Sequence, residues 1–206
     1  MSPHTTERTV SRSDSGALVG FMIAGAVIAV WTVVRAVIRI AEVLSGGAVR
    51  VPAEFRGTLA DAPIGPGGAP VQVELDRAVL VAGELPAASV GALVIEQVVL
   101  AATIVIVVGA LIWLTSNIVR GRIFSRRNTI LVMTAGLTGL AGYCAVPFFA
   151  NMGANGAFAR LSDRTFDNVV MSVDVFPLLF LAFLAGLVGT VFAVGERLQR
   201  ETEGLV

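Results

Sequence analysis

Four long apolar stretches without a charged residue dominate the chain and restrict the folds open to it. They cover residues 17–34, 98–114, 130–150 and 175–194. A helix needs roughly 20 apolar residues to cross the hydrocarbon layer of a bilayer. Helices of soluble proteins are rarely apolar on all sides over such a length. The sequence therefore predicts an all-α membrane protein with four transmembrane helices.

The composition supports this prediction. Hydrophobic residues make up 55% of the chain and charged residues 15%, with a mean hydropathy of +0.83, whereas a soluble domain has about 25% charged residues. The first apolar stretch is longer than the 7–15 residues of a signal-peptide core, and no clean cleavage site follows it. We therefore interpret it as a retained first helix that continues to about residue 44.

The connections between the helices follow from these assignments. We predict transmembrane helices at residues 17–44, 89–117, 129–150 and 174–195. The remaining segments are a cytoplasmic N-terminal tail at 1–16, an extracytoplasmic β-like insert at 45–88, a cytoplasmic Arg-rich loop at 118–128, an extracytoplasmic loop of irregular chain with about one helical turn at 151–173, and a cytoplasmic tail at 196–206.

The orientation in the membrane is predicted from arginine placement. The Arg-rich loop, called the Arg loop below, contains Arg120, Arg122, Arg126 and Arg127 and no acidic residue. Short loops rich in Arg stay on the cytoplasmic side, and an even number of spans then places both termini there. Arg35 and Arg39, at the outer end of the first helix, point the other way, so the Arg loop decides the orientation.

The insert after the first helix shows strand-like patterning. In VQVELDRAVLV, residues 71–81, apolar and polar residues alternate, which is typical of a half-exposed strand. A second candidate strand covers residues 48–55, and a turn-rich connector, DAPIGPGGAP, lies between the two. We expect a small antiparallel element of two to four strands. Because an isolated hairpin is only marginally stable, it should rest on helix ends or on another copy of the chain.

The arginines of the Arg loop have two interpretations. They are a topology signal, or they also contact anionic lipid or a protein partner at the cytoplasmic face. A second charged group, Arg35, Arg39, Glu96 and Asp174, is expected near the outer face. Charges at that depth need a partner or access to water, so we interpret them as ion pairs between helix ends, with Glu96 approaching Arg35 or Arg39; a sensing or conducting cluster is the alternative.

Several classes of chemistry are excluded by residue usage. The 15 basic residues are all Arg, so Schiff-base and P-loop lysines are absent. Cys144 is the only cysteine and His4 the only histidine, which excludes an intrachain disulfide and a His-based triad. We expect no enzyme activity, no cofactor or metal, and no direct nucleic-acid binding.

Two stretches resemble a known family. RGRIFSRRNTILV contains Gly121, Phe124 and Asn128 in the spacing G-x-x-F-x-x-x-N, and the tail VFAVGERLQRETEGLV contains Gly195, Leu198 and Gln199. Together they resemble the bacterial membrane family catalogued as domain of unknown function 2975, although Ile123 stands where that family often has Pro. The order of four helices with a β-like insert after the first is also similar.

The resemblance implies a four-helix integral protein of the bacterial plasma membrane without an established activity. Genes of the family often lie beside a small helix-turn-helix regulator, so the resemblance implies a cytosolic regulator as a partner. From the residues themselves, Ser125 and Asn128 are predicted as N-caps of the third helix. Gly121 is predicted to allow a tight turn, and Phe124 is predicted as an apolar anchor at the membrane interface. The fourth helix is predicted to continue to about Arg200, with Leu198, Leu205, Glu201 and Glu203 docking on the Arg loop.

Three functions remain open, in a clear order. The leading interpretation is a non-enzymatic regulatory, signalling or partner-binding membrane protein that also contacts the lipid bilayer. The alternative is a small transporter or channel subunit, and a lipid-modifying enzyme comes third because no acid–base or metal constellation is visible. Small residues spaced by four, such as Ala185 and Gly189, allow close helix packing and leave a homo-oligomer open.

Overall fold

Four long helices and a two-stranded sheet make up the described structure. The structure, a computed structural model, describes residues 12–166 and 173–203. The elements are α1 (Arg12–Leu44), β1 (Val49–Ala62), β2 (Val71–Ala82), α2 (Ala87–Val119), α3 (Arg126–Leu161) and α4 (Val175–Glu203), with a short 3₁₀ turn at Pro66–Gly68. The predicted fold class, four apolar helices with a small β insert between the first two, is confirmed.

All four helices are long and apolar enough to cross a membrane. Their large apolar side chains remain exposed in the chain itself, as Trp31 at 66% and Phe176 at 78% illustrate. Soluble monomers rarely expose apolar surface on this scale, and lipid is the medium that can cover it. The chain is therefore a multi-pass membrane protein whose helices contact the bilayer.

The β insert is one antiparallel hairpin. Val49, Val51 and Ala53 of β1 are buried and alternate with exposed residues. On β2 the core-facing residues near the helices are Leu80 and Ala82. Both predicted strands exist, but β1 is longer than residues 48–55. The side chains that alternate at Val71, Val73 and Leu75 lie in the other half of the hairpin, nearer its turn.

A bulge separates the two halves of the hairpin. Glu54 pairs with Arg77 and Thr58 pairs with Leu75, so three residues of β1 oppose one of β2. Gly57 within the bulge has φ +60°, a conformation that costs glycine little. The two extra residues are on β1, and they interrupt the ladder and bend that strand. On either side of the bulge the less exposed positions of β2 differ, with Val73 and Leu75 toward the turn and Leu80 and Ala82 toward the helices.

The chain divides into two compact units, to each of which α1, α2 and α3 contribute residues. Unit 1 includes the described residues of Met1–Val34, Ala101–Gly142 and Val175–Val206, and unit 2 includes those of Arg35–Leu100 and Tyr143–Asp174. Unit 2 has a hydrophobic core made by both strands together with three helices. Its buried members are Val43, Val49, Val51, Ala53, Ala82, Leu93, Ala154, Ala157 and Phe158. The expectation that the hairpin rests on helix ends is confirmed.

One prediction about secondary structure is wrong. Residues 151–173 were expected as irregular chain with about one helical turn, but α3 continues through the first part of this segment to Leu161. Ala154, Ala157 and Phe158 are buried in the core of unit 2, and this burial holds a segment rich in Gly and Asn in helical form. Residues 1–11, 167–172 and 204–206, including His4 and Leu205, lie outside the described residues. The exact limits of each membrane-crossing segment stay predictions.

Candidate functional site

The Arg loop is a tight turn with a defined backbone. The N–H of Gly121 donates to the carbonyl of Ile118 at 2.9 Å, and the N–H of Arg122 donates to the carbonyl of Asn117 at 2.9 Å. These two hydrogen bonds form the Schellman arrangement that ends α2. Gly121 has φ +76°, which a residue with a side chain adopts only with strain. The tight turn predicted at Gly121 is confirmed.

A buried amide joins the two helices that flank the Arg loop. Asn128 is fully buried, and its Oδ1 accepts a hydrogen bond from Nδ2 of Asn117 at 2.7 Å. Its own Nδ2 donates to the carbonyls of Arg122 and Ile123 at 2.6 and 2.8 Å. Buried polar groups cost free energy unless they are paired, and this amide uses both donors and its acceptor. We call Asn117 and Asn128 with these two carbonyls the asparagine node.

The start of α3 is capped by Ser125, as predicted. Its Oγ accepts from the N–H of Asn128 at 3.4 Å, and its carbonyl accepts from the N–H of Thr129 at 3.0 Å. The prediction that Asn128 is also an N-cap is wrong, because Asn128 lies inside the first turn of α3. Its side chain reaches back along the loop, where it satisfies two backbone carbonyls.

The four guanidinium groups of the Arg loop are not neutralised by the described chain. Arg120, Arg122, Arg126 and Arg127 are all exposed. Among the described side chains, those of residues 16–166 and 173–202, no carboxylate oxygen lies within 4.0 Å of any of them. Arg127 instead lies over the ring of Trp113, with its guanidinium carbon 4.9 Å from the ring centroid, a cation–π contact.

The two motif stretches converge on one shallow groove. The ring of Phe124 packs against Phe192 with centroids 5.7 Å apart. A Cβ placed on Gly195 would overlap the ring of Phe124. The groove, which we call the motif groove, is lined by Phe124, Thr190, Val191, Val194, Gly195, Leu198, Gln199 and Thr202. Phe124 was expected as an anchor in the lipid interface, but its ring packs on α4. Gly195 is the residue that makes room for it.

The polar contact between α4 and the start of α3 involves Glu196. One carboxylate oxygen of Glu196 accepts a hydrogen bond from the hydroxyl of Thr129 at 2.9 Å, and the other pairs with Arg200 on the next turn of α4. Sequence analysis did not identify Thr129. It expected Glu201 to face the Arg loop, but Glu201 pairs with Arg197 at 3.8 Å on its own helix. The prediction that the fourth helix continues to about Arg200 is confirmed, since α4 ends at Glu203.

The four charged residues expected near the outer face lie in unit 2. Arg39 pairs with Glu42 at 3.1 Å and also donates to the carbonyl of Arg50, and Glu96 is half-buried. Arg35 is exposed. The backbone carbonyl of Asp174 accepts a hydrogen bond from the hydroxyl of Tyr143 at 3.1 Å. Direct ion pairing among the four stays a prediction.

Unit 2 also contains a pocket that sequence analysis missed. It measures about 410 Å³, and its walls come from β1, β2 and α3. Most of the lining consists of alanine, valine and proline. Three polar side chains also line the pocket: Glu54, Arg77 and Asn151. Arg77 and Glu54 form an ion pair at 3.0 Å. We call this the hairpin pocket. No local pattern in the sequence signals it, because the strands and α3 meet only in the folded unit.

In the described part of the chain, no three His, Cys, Asp or Glu side chains lie together where they could hold a metal ion. Comparison with the models of known families, with curated proteins and with solved structures finds no match.

Proposed function

We propose that this chain is a non-enzymatic regulatory or signalling protein of the bacterial plasma membrane that binds a cytosolic partner protein. The proposal includes membership of the family that the two motif stretches resemble. The observation that carries it is the motif groove, since Phe124 and Gly195, Leu198 and Gln199 come from the two separate stretches and line one surface. The two stretches lie far apart in the sequence, and a shared binding surface is a reason for both to line the same groove.

The side of the membrane follows from the arginines. Short loops with an excess of Arg stay in the cytoplasm, which places the Arg loop, the end of α4 and both termini on that side. Phe124 lies within the Arg loop, so the motif groove belongs to the same side. A partner that reaches it must then be cytosolic or a cytosolic part of another membrane protein.

The chemistry of the groove defines the partner. Its lining is mostly apolar, with Leu198 exposed at 54%, while Arg120 and Arg122 of the neighbouring turn have no carboxylate partner in the described residues. A helix with one apolar face and acidic residues beside it would complement both features. We therefore expect an acidic amphipathic segment, and the family resemblance implies a helix-turn-helix regulator as its source.

The test is site-specific photo-crosslinking in intact cells. A photoreactive side chain at Leu198 should give one defined protein adduct, and the same side chain at Leu187, an exposed apolar position of α4 outside the groove, should give lipid adducts only. The adduct at position 198 should disappear in the R120E/R122E double variant. A peptide with the sequence of the acidic segment of the crosslinked partner should bind the reconstituted protein. It should not bind the R120E/R122E variant.

Two results would contradict the proposal. One is an adduct at position 198 that survives charge reversal of the loop, and the other is a profile at position 198 that matches position 187. Thermal unfolding of the R120E/R122E variant in detergent should match the parent, because both side chains are exposed. That control separates lost recognition from lost fold.

The alternative, a small transporter or channel subunit, has one observation in its favour. The hairpin pocket is lined by Pro147, which lies inside α3, and by the polar side chain of Asn151. Proline removes a backbone hydrogen bond within a helix, and interrupted helices beside polar cavities are used by transporters. Solute uptake or ion conductance by the purified protein in liposomes would favour this alternative over the partner-binding role.

A further inference from the structure

A second groove in unit 1 combines apolar walls with two guanidinium groups. It has a volume of about 420 Å³ and is lined by Trp113 of α2 and by Arg126, Arg127, Ile130 and Leu131 of α3. None of these residues lines the motif groove, so the two surfaces can be tested separately. We call this second surface the Trp–Arg groove.

Arg127 is held in place by the groove itself. Its guanidinium carbon lies over the Trp113 ring, 4.9 Å from the ring centroid. This cation–π contact does not use the N–H hydrogen-bonding capacity of the guanidinium. Arg126 and Arg127 have no carboxylate within 4.0 Å among the described residues. Their hydrogen bonds are thus available to an anion from outside the chain.

The backbone beneath the two arginines is well fixed. Asn128, the next residue, is fully buried and hydrogen-bonded across to Asn117, and Ser125 caps the helix just before them. Arg126 and Arg127 occupy the first positions of α3, where the positive end of the helix dipole also favours an anion. A backbone that is already fixed reduces the conformational freedom lost when a ligand binds.

The walls of the groove indicate which anion fits. Ile130 is exposed at 55% and Trp113 at 49%, and both belong to helices that span the membrane. A free phosphate would leave this apolar surface without a partner. A phospholipid brings both parts, a phosphate for the arginines and an acyl chain for Trp113, Ile130 and Leu131. Trp at the end of a membrane helix is typical of the headgroup level.

We propose that the Trp–Arg groove binds one anionic glycerophospholipid through Trp113, Arg126, Arg127, Ile130 and Leu131. Its phosphate accepts hydrogen bonds from the two guanidinium groups, and its acyl chain lies along the apolar wall. Because two positive charges meet the headgroup, lipids with net negative charge are preferred over zwitterionic ones. This inference does not depend on the partner proposed for the motif groove.

The test is native mass spectrometry of the full chain in detergent, titrated with phosphatidylglycerol or phosphatidylcholine. The parent should retain one phosphatidylglycerol per chain at lipid concentrations where phosphatidylcholine is not retained. R126Q/R127Q should weaken phosphatidylglycerol binding on the order of tenfold or more, from the usual contribution of a basic residue near anionic lipid. The matched control R120Q/R122Q removes the same charge outside the groove and should change binding by less than about threefold.

A third variant tests the aromatic wall without changing charge. Trp113→Leu keeps an apolar side chain but removes the cation–π contact, and we expect phosphatidylglycerol binding to weaken by about two- to fivefold. Equal losses in R126Q/R127Q and R120Q/R122Q would overturn the proposal, because they indicate general charge attraction. Equal retention of phosphatidylcholine, or displacement of the lipid by millimolar inorganic phosphate, would overturn it as well. In R126Q/R127Q, unchanged crosslinking by the photoreactive side chain at position 198 would show that the motif groove remains intact.

Discussion

The hairpin of unit 2 connects α1 to α2, and the Arg loop of unit 1 connects α2 to α3. The two connections are stabilised in different ways. The hairpin is long, and it shares a hydrophobic core with three helices, in which Val51 and Ala157 are fully buried. The Arg loop is short, and the fully buried side chain beside it is polar Asn128. A long insert can supply apolar side chains of its own, whereas a tight turn has backbone groups to satisfy and little apolar surface to bury.

The arginines of unit 2 and those of the Arg loop also differ in whether they form ion pairs. In unit 2, Arg39, Arg77 and Arg160 each form an ion pair with a carboxylate, Arg160 with Glu84 at 3.5 Å. The arginines of the Arg loop form none with the described residues. Charges that are neutralised within the chain stabilise the fold slightly when they are exposed, and a cluster of four charges that is left open is available for recognition. This contrast is why we place partner and lipid binding at the Arg loop.

The largest effect is expected in the core under the hairpin. Phe158 is 7% exposed, and its ring meets Phe55 edge-on at 5.1 Å. Phe158→Ala should lower the free energy of unfolding by about 3–5 kcal/mol, the usual cost of removing a buried aromatic ring. Hydrogen exchange of the amides of β1 and β2 should accelerate, since both strands rest on this core. The matched control is Phe148→Ala, whose ring is 51% exposed; protection of the strands that is equal in both variants would contradict a shared core.

A smaller loss of stability is expected from the asparagine node. Asn128→Ala leaves Asn117 and the carbonyls of Arg122 and Ile123 without their partner, which costs about 1–3 kcal/mol for a buried group. The thermal unfolding midpoint in detergent should fall, and trypsin should cleave faster at the arginines of the loop. Asn155→Ala is the control, because its amide forms a half-buried pair with Asn151 on the same helix. Equal trypsin sensitivity of the two variants would show that the node does not hold the loop.

Those features that depend on local patterns could be predicted from the sequence. Uncharged apolar runs predicted four helices, period-two alternation predicted β2, and Gly121 and Ser125 indicated the turn and the cap. Each of these signals lies within a few residues of the feature that it indicates. The helical extension at residues 151–161 gives no such signal, because it is stabilised by burial of Ala154, Ala157 and Phe158 against the hairpin.

The site was predictable in its residues but not in its contacts. Phe124, Asn128, Gly195 and Leu198 stood out in the sequence, yet nothing there shows that Phe124 packs on Gly195 or that Asn128 pairs with Asn117. Asn117 lies near the end of α2, where a capping side chain is not expected, and local rules give it no role. The same rules assigned Asn128 to a cap, because capping is the commonest use of Asn at a helix start.

The smallest effect is expected from an ion pair of the hairpin, and this prediction tests the comparison most directly. Arg77 and Glu54 are 79% and 32% exposed and face each other across the strands at 3.0 Å. Arg77→Gln should cost about 0.2–1 kcal/mol, since exposed pairs gain little in water, and the cost should shrink at high salt. Thermal unfolding in low and high salt measures it, with the Glu54→Gln/Arg77→Gln double variant separating the pair from the single side chains. If Arg77→Gln destabilised the protein more than Asn128→Ala does, charge pairing rather than the apolar core would hold the hairpin, and the contrast with the Arg loop would fail.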